Sequence, residues 1–249
     1  SPHRHVVELY RDEAALARSV ARWVAPALRG DGTAVLIGTP AHLDAVRERL
    51  RGEGDDVDGL ERAGVLRGVD ADALLARFLV DGMPDAAEFK RLARGLLREV
   101  RGAGGAGPLH AWGEMVNLLW ARGNLPAAQA LEALWNEVLA EEGGRLLCSY
   151  GVDNLAPGTH EGLLRDVCAG HSYLVPEPDE GRFETAVARA LADVFGGDAP
   201  RVRAMFAARR SLPVGMPAAE AVLVALHEVQ PQLGRRVLAS ARAHLASLR

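Results

Sequence analysis

The chain has 249 residues, enough to bury a full core as one large domain or as one domain with an appendage. With 49% hydrophobic and 25% charged residues it has an ordinary globular composition, and a net charge of −4 gives no electrostatic support for nucleic-acid binding. Its two cysteines, Cys148 and Cys168, make no disulfide framework; no basic start leads into a long apolar run, and no stretch nears the ~18 apolar residues of a membrane span, so free thiols in a reducing cytoplasm are expected.

Residues 5–10, HVVELY, are rich in strand formers. Asp12 then caps a helix with Leu16, Val20, Trp23, Val24 and Leu28 at helical spacing. Residues 33–38 form a continuous apolar run, as in a strand buried on both faces. Pro40 suits the first turn of a helix reaching about Leu50, and the acidic, glycine-rich stretch 52–59 predicts an exposed loop. A short strand at 65–69 is followed by a helix capped by Asp70, a break at 81–84, and a helix over 85–101 with Phe89, Leu92, Leu96, Leu97 and Val100 on one face. Residues 109–112 read as a strand that turns at Gly113 into a helix beginning at Glu114. A further helix runs from Pro126 to about Glu142, then a buried strand over 145–150, a loop over 151–158, a short helix over 161–169 and a last strand over 171–175. This alternation predicts a parallel sheet covered on both faces. From Pro176 the pattern becomes all helical, with helices at 182–196, 199–210, 217–229 and 231–248.

The chemistry expected at the sheet's carboxyl edge is incomplete. A phosphate loop needs G-x-x-x-x-G-K-[ST], whose backbone N–H groups cradle phosphate and whose lysine reaches its far oxygens. Here the strand at 33–38 runs into Thr39-Pro40-Ala41-His42, and the one lysine of the chain, Lys90, lies in another helix. Glu114 stands after the strand at 109–112, at the carboxyl end of the expected parallel sheet, where α/β proteins place ligands. Two readings stay open for it: a ligand-contacting or vestigial catalytic carboxylate, or a first-turn glutamate favoured by its own helix dipole at about 0.3–1 kcal/mol. Asn117 follows one turn later on the same face, and Tyr10 and Tyr150 each end a strand with a polar tip suited to a pocket with one wet end. His42 is a candidate polar lining residue or a solvated one.

Glu132 and Asn136, one turn apart, can hydrogen-bond or jointly meet a third group; a buried polar clamp on neighbouring backbone is expected ahead of a ligand role. Cys148, Cys168 and His171 supply one C-x-x-H pair, whereas structural zinc normally has two close pairs, so no metal is expected. No G-x-S-x-G, G-x-G-x-x-G or H-E-x-x-H motif is present.

The runs GEMVNLLW (113–120), LEALWNEV (131–138) and LLCSY (146–150) occur in an order that resembles the MEDS domain, a methanogen/methylotroph sensory domain. HVVELY with His5 and Tyr10, DADALLARF at 70–78 followed by Pro84-Asp85 and Phe89, and Cys168-Ala-Gly-His171 agree with it, so the resemblance covers roughly residues 3–175. It implies an α/β, three-layer RecA/KaiC-like sandwich with a mostly parallel central sheet and no phosphate-binding loop, and a role in sensing small molecules such as hydrocarbon derivatives.

The resulting expectation is a cytoplasmic sensory module over 1–175 with an all-helical C-terminal appendage over 176–249. Its ligand, apolar or of mixed polarity, would sit against Tyr10, Thr39, His42, Glu114, Asn117 and Tyr150, with no cofactor, metal, nucleic acid or membrane involved. The appendage would meet a signalling protein or a second copy of the chain, or else its apolar stripes would pack back on the sheet. The alternatives are a divergent nucleotide-binding enzyme using Glu114 to orient water, and a scaffold that binds no ligand.

Overall fold

The computed structural model describes residues 5–10, 12–104, 106–151, 171, 173–175, 180–208 and 216–248. The predicted helix at 161–169, Cys168, most of the loop at 151–158 and the Pro-Glu-Pro segment at 176–178 lie outside them. The chain divides into two units, Ser1–Gly151 and Val152–Arg249.

The first unit alternates strand and helix: β1 (His5–Tyr10), α1 (Glu13–Leu28), β2 (Thr33–Gly38), α2 (Pro40–Gly52), α3 (Val57–Arg62), β3 (Leu66–Asp70) and α4 (Ala71–Phe78). A two-strand hairpin, β4 (Leu79–Val80) and β5 (Met83–Pro84), precedes α5 (Ala86–Ala103), β6 (Leu109–Gly113), α6 (Met115–Ala121), α7 (Leu125–Glu142) and β7 (Arg145–Gly151). The helices start where short polar side chains can take an otherwise unmatched N–H. Asp12, Asp70, Asp85 and Asn124 cap α1, α4, α5 and α7 in this way.

Five strands form a parallel sheet in the order β3-β2-β6-β7-β1. β1, β2 and β6 are buried along their whole length, β2 as its continuous apolar run requires and the other two with the polar His5, Glu8 and His110 included. Helix α1 packs beside α2, and α5 beside α7. The second pair is tied by ion pairs of Lys90 with Glu137, Arg94 with Glu141 and Arg98 with Glu142. Lys90, the one lysine, thus joins two helices far from any phosphate site.

Two local elements differ from the sequence expectation. The stretch read as an exposed loop at 52–59 contains the start of α3, because Asp56 accepts the Gly59 N–H at 3.0 Å and Val57 is buried. The break at 81–84 is the hairpin β4–β5, turned by Asp81 and Gly82, both at positive φ.

Topology sets the site. The chain leaves β2 towards β3 and leaves β6 towards β7, in opposite directions across the sheet. These strands are neighbours and Ile37 pairs with Gly113, so both end at one level. The gap between their carboxyl ends is the topological switch point, where open α/β sheets hold ligands. Gly38 closes the end of β2 on the indole of Trp112: a Cβ there would lie 2.5 Å from the ring and 3.1 Å from Glu114 Oε1, so only glycine fits without a shift.

The second unit contains a short strand, β8 (Tyr173–Val175), then α8 (Glu180–Phe195), a 3-10 turn (Gly196–Asp198), α9 (Ala199–Ala207), α10 (Ala218–Val229) and α11 (Pro231–Ser247). Its helices bury a core of their own, including Phe183, Val187 and Leu191 from α8, Val222, Leu223 and Leu226 from α10, and Val237, Leu238 and Ala241 from α11. Val222 and Ala225 of one predicted stripe, and Val237, Leu238 and Ala241 of the other, are therefore buried within this unit.

Candidate functional site

Thr39 and Glu114 leave β2 and β6 side by side. Thr39 is the N-cap of α2: its hydroxyl accepts the His42 N–H, and its own N–H donates to Glu114 Oε1. The other oxygen, Oε2, lies 2.7 Å from His42 Nδ1. Glu114 is 0% exposed, and its backbone N–H donates to Ile37 O at 3.0 Å. It is the N-cap residue of α6 yet makes no side-chain cap bond there. Its carboxylate serves the start of α2, across the switch point, rather than its own helix.

Tyr10 completes the node. Its ring meets His42 edge to face at 6.1 Å, and its hydroxyl accepts from Asn117 Nδ2 at 3.3 Å. Asn117 Oδ1 in turn accepts the Gly151 N–H at 3.0 Å, so the carboxyl ends of β1 and β7 are linked to α6. Burial first, and then the Glu114 charge, push the Tyr10 phenol up to about 12, so it stays a neutral donor and acceptor. Five of the six residues singled out in the sequence, Tyr10, Thr39, His42, Glu114 and Asn117, therefore form one connected group.

Tyr150 belongs to another group. Its hydroxyl donates to Glu132 Oε1 at 2.6 Å and its ring stands edge-on to Trp120. Alternation along the strand explains this: Tyr150 shares a face with Leu146 and Cys148, and that face is covered by α7, which carries Glu132 and Asn136. Where the sequence predicts neighbouring backbone as the partner of Glu132 and Asn136, both meet a side chain, the His5 imidazole. Nδ1 of His5 lies 2.9 Å from Asn136 Oδ1, and Nε2 lies 3.1 Å from both Cys148 Sγ and Glu132 Oε2. Burial, with Glu132 alongside, pushes the Cys148 thiol well above its ordinary value, which leaves it a poor nucleophile. Of the set Cys148, Cys168 and His171 weighed in the sequence, Cys168 lies outside the described residues. The convergence of His5, Glu132 and Cys148 escaped sequence reading; the signal available was the shared face of alternate residues on two adjacent strands.

His42 gives the first node a pH dependence. Its hydrogen bond to Glu114 raises its pKa, burial opposes this, and the charges of Glu114 and of the exposed Glu13 add to the rise. A raised folded-state pKa contributes stability that is complete below the unfolded value of about 6.5 and is lost as pH rises through the folded value. Thermal unfolding of the wild type and of His42→Gln, compared from pH 5 to 9, is expected to show a wild-type advantage that shrinks with rising pH. His110, whose pKa burial lowers, titrates in both proteins and cancels in the difference.

A family model described as MEDS: MEthanogen/methylotroph, DcmR Sensory domain matches residues 4–172. No curated protein and no solved structure matches the chain.

Proposed function

Because the chain belongs to the MEDS family of sensory domains, we propose that it is a small-molecule sensory module whose ligand docks at the carboxyl edge of the sheet, between β2 and β6, without nucleotide hydrolysis. The observation that carries this reading is the buried Glu114 carboxylate on the N–H of Thr39. The start of the helix after β2 is where a phosphate would be held, by N–H groups and by the helix dipole. Here that place already has its anion. A nucleotide phosphate would meet a like charge, and His42, already engaged with Glu114 Oε2, stands in the turn where a loop lysine would be needed.

The node suits a ligand of mixed polarity, with the Tyr10 ring as its apolar wall and His42, Glu114 and Asn117 as exchangeable hydrogen-bond partners. In this reading the helices of residues 176–249 carry the output to a signalling protein or to a second copy of the chain. Among the described residues, no helix is long and apolar enough to cross a membrane.

A thermal-shift screen of short-chain alcohols, amines and halogenated alkanes, with ATP·Mg²⁺ in parallel, tests the proposal. At least one of the organic ligands is expected to stabilise the wild type, and Glu114→Gln is expected to abolish that response while leaving the fold intact. ATP·Mg²⁺ is expected to have no effect. Micromolar binding of ATP·Mg²⁺ by calorimetry would overturn the proposal in favour of a divergent nucleotide enzyme.

A further inference from the structure

The second polar group lies under α7 and shares no residue with the node at the switch point. It brings together a ring nitrogen, a carboxylate oxygen and a thiol sulfur from β1, α7 and β7. These atoms form a triangle with edges of 3.1 Å (Nε2 to Sγ), 3.1 Å (Nε2 to Oε2) and 3.7 Å (Sγ to Oε2). Zinc–ligand bonds of about 2.0–2.3 Å at tetrahedral angles require ligand separations of roughly 3.3–3.6 Å. The triangle fits an ion after movements of a few tenths of an ångström.

Lone-pair accounting points the same way. Asn136 presents its carbonyl oxygen to His5 Nδ1, so that nitrogen carries the proton and donates. In the neutral imidazole Nε2 then offers a lone pair, aimed between the Cys148 sulfur and the Glu132 oxygen. A cation placed between them would take Nε2, Sγ and Oε2 together as ligands. The surroundings are also those of a ligand set: metal-bound histidine donates its other N–H to an oxygen, as His5 does to Asn136, and bound carboxylates are themselves hydrogen-bonded, as Glu132 Oε1 is by the Tyr150 hydroxyl. Oε2 is the oxygen that faces His5 and Cys148.

We propose that His5 Nε2, Glu132 Oε2 and Cys148 Sγ form a binding site for a divalent transition metal of the zinc class. The mixed nitrogen, oxygen and sulfur donors favour such an ion over calcium or magnesium, which take oxygen ligands.

The test uses the full chain, stripped with a chelator and titrated with CoCl₂ and then ZnCl₂. One cobalt ion per chain is expected, with a thiolate-to-cobalt charge-transfer band in the near ultraviolet that Zn²⁺ displaces. Cys148→Ser is expected to remove the band. Asn136→Ala, a positioning change, is expected to keep the band while weakening affinity about 10–100-fold. Cys168→Ser is expected to change neither. If the natively folded wild type shows no band and takes up no zinc by elemental analysis, the group is a hydrogen-bonded network around His5 and the proposal fails. It fails equally if Cys168→Ser removes the band while Cys148→Ser retains it.

Discussion

Replacing Trp112 with alanine is expected to destabilise the first unit by about 3–5 kcal/mol, the range for deleting a large aromatic side chain from a packed core. Trp112 is 0% exposed, and its strand β6 is central in the parallel sheet, with Trp112 opposite Leu36 on one side and Leu147 on the other. Its ring covers Gly38, where the backbone approaches too closely for any Cβ, so neighbours cannot collapse into the space without bending the end of β2. Its indole N–H also donates to Ser149 Oγ at 2.9 Å. Trp112→Phe keeps most of the volume and removes that donor, so it is expected to lose less, about 1–3 kcal/mol. Urea unfolding followed by circular dichroism measures both. Near-equal losses in the two variants would show that the hydrogen bond, not the volume, dominates.

The second large effect belongs to Glu114. Truncation to alanine removes the acceptor for the Thr39 N–H and for His42 together, and α6 still begins at the same place because the side chain makes no cap bond there. The expected loss is about 1.5–3 kcal/mol, that of a charge-assisted bond whose partners are left behind. Glu114→Gln separates charge from shape. Its carbonyl oxygen can still accept from Thr39, while its amide nitrogen then faces His42 Nδ1 and can only donate. The imidazole must accept, so it is neutral, and its pKa should fall from its raised position. An NMR titration of the histidine ring reads this directly. An unchanged His42 titration in Glu114→Gln would show that the pair is not the cause of the rise.

Much of this architecture is legible in the sequence because parallel strands buried on both faces leave mostly apolar runs, as at 33–38 and, with His110 as the exception, at 109–112. Thr39, His42 and Glu114 were readable for a related reason: they follow those runs immediately, and the carboxyl ends of neighbouring strands lie together. Tyr150 joins a different group from Tyr10 because ending a strand does not say which face a side chain takes. That depends on the alternation from Leu146 through Cys148, which turns Tyr150 towards Glu132. His5 and Cys148 are 143 positions apart, and only the pairing of β1 with β7 brings them together. The start of α3 was hidden by its glycine and aspartate content, although Asp56 is itself the capping signal. The apolar stripes near the C-terminus were visible, but a stripe does not name its partner; here much of it is the unit's own core.

Glu114 acts at two helices through different parts of one residue: its backbone begins α6 and its carboxylate fastens the first turn of α2. In the proposed sensory role it would work as a clutch between them. A molecule that draws the carboxylate away from Thr39 releases α2 without disturbing the strand beneath, and the work of disengagement is subtracted from its own affinity. With about 1.5–3 kcal/mol held in the clutch, a ligand must prefer the disengaged form by roughly 10–150-fold to balance the two forms. The same quantity sets the ceiling on sensitivity: a weaker latch would slip without a ligand, and a stronger one would answer only to tight binders.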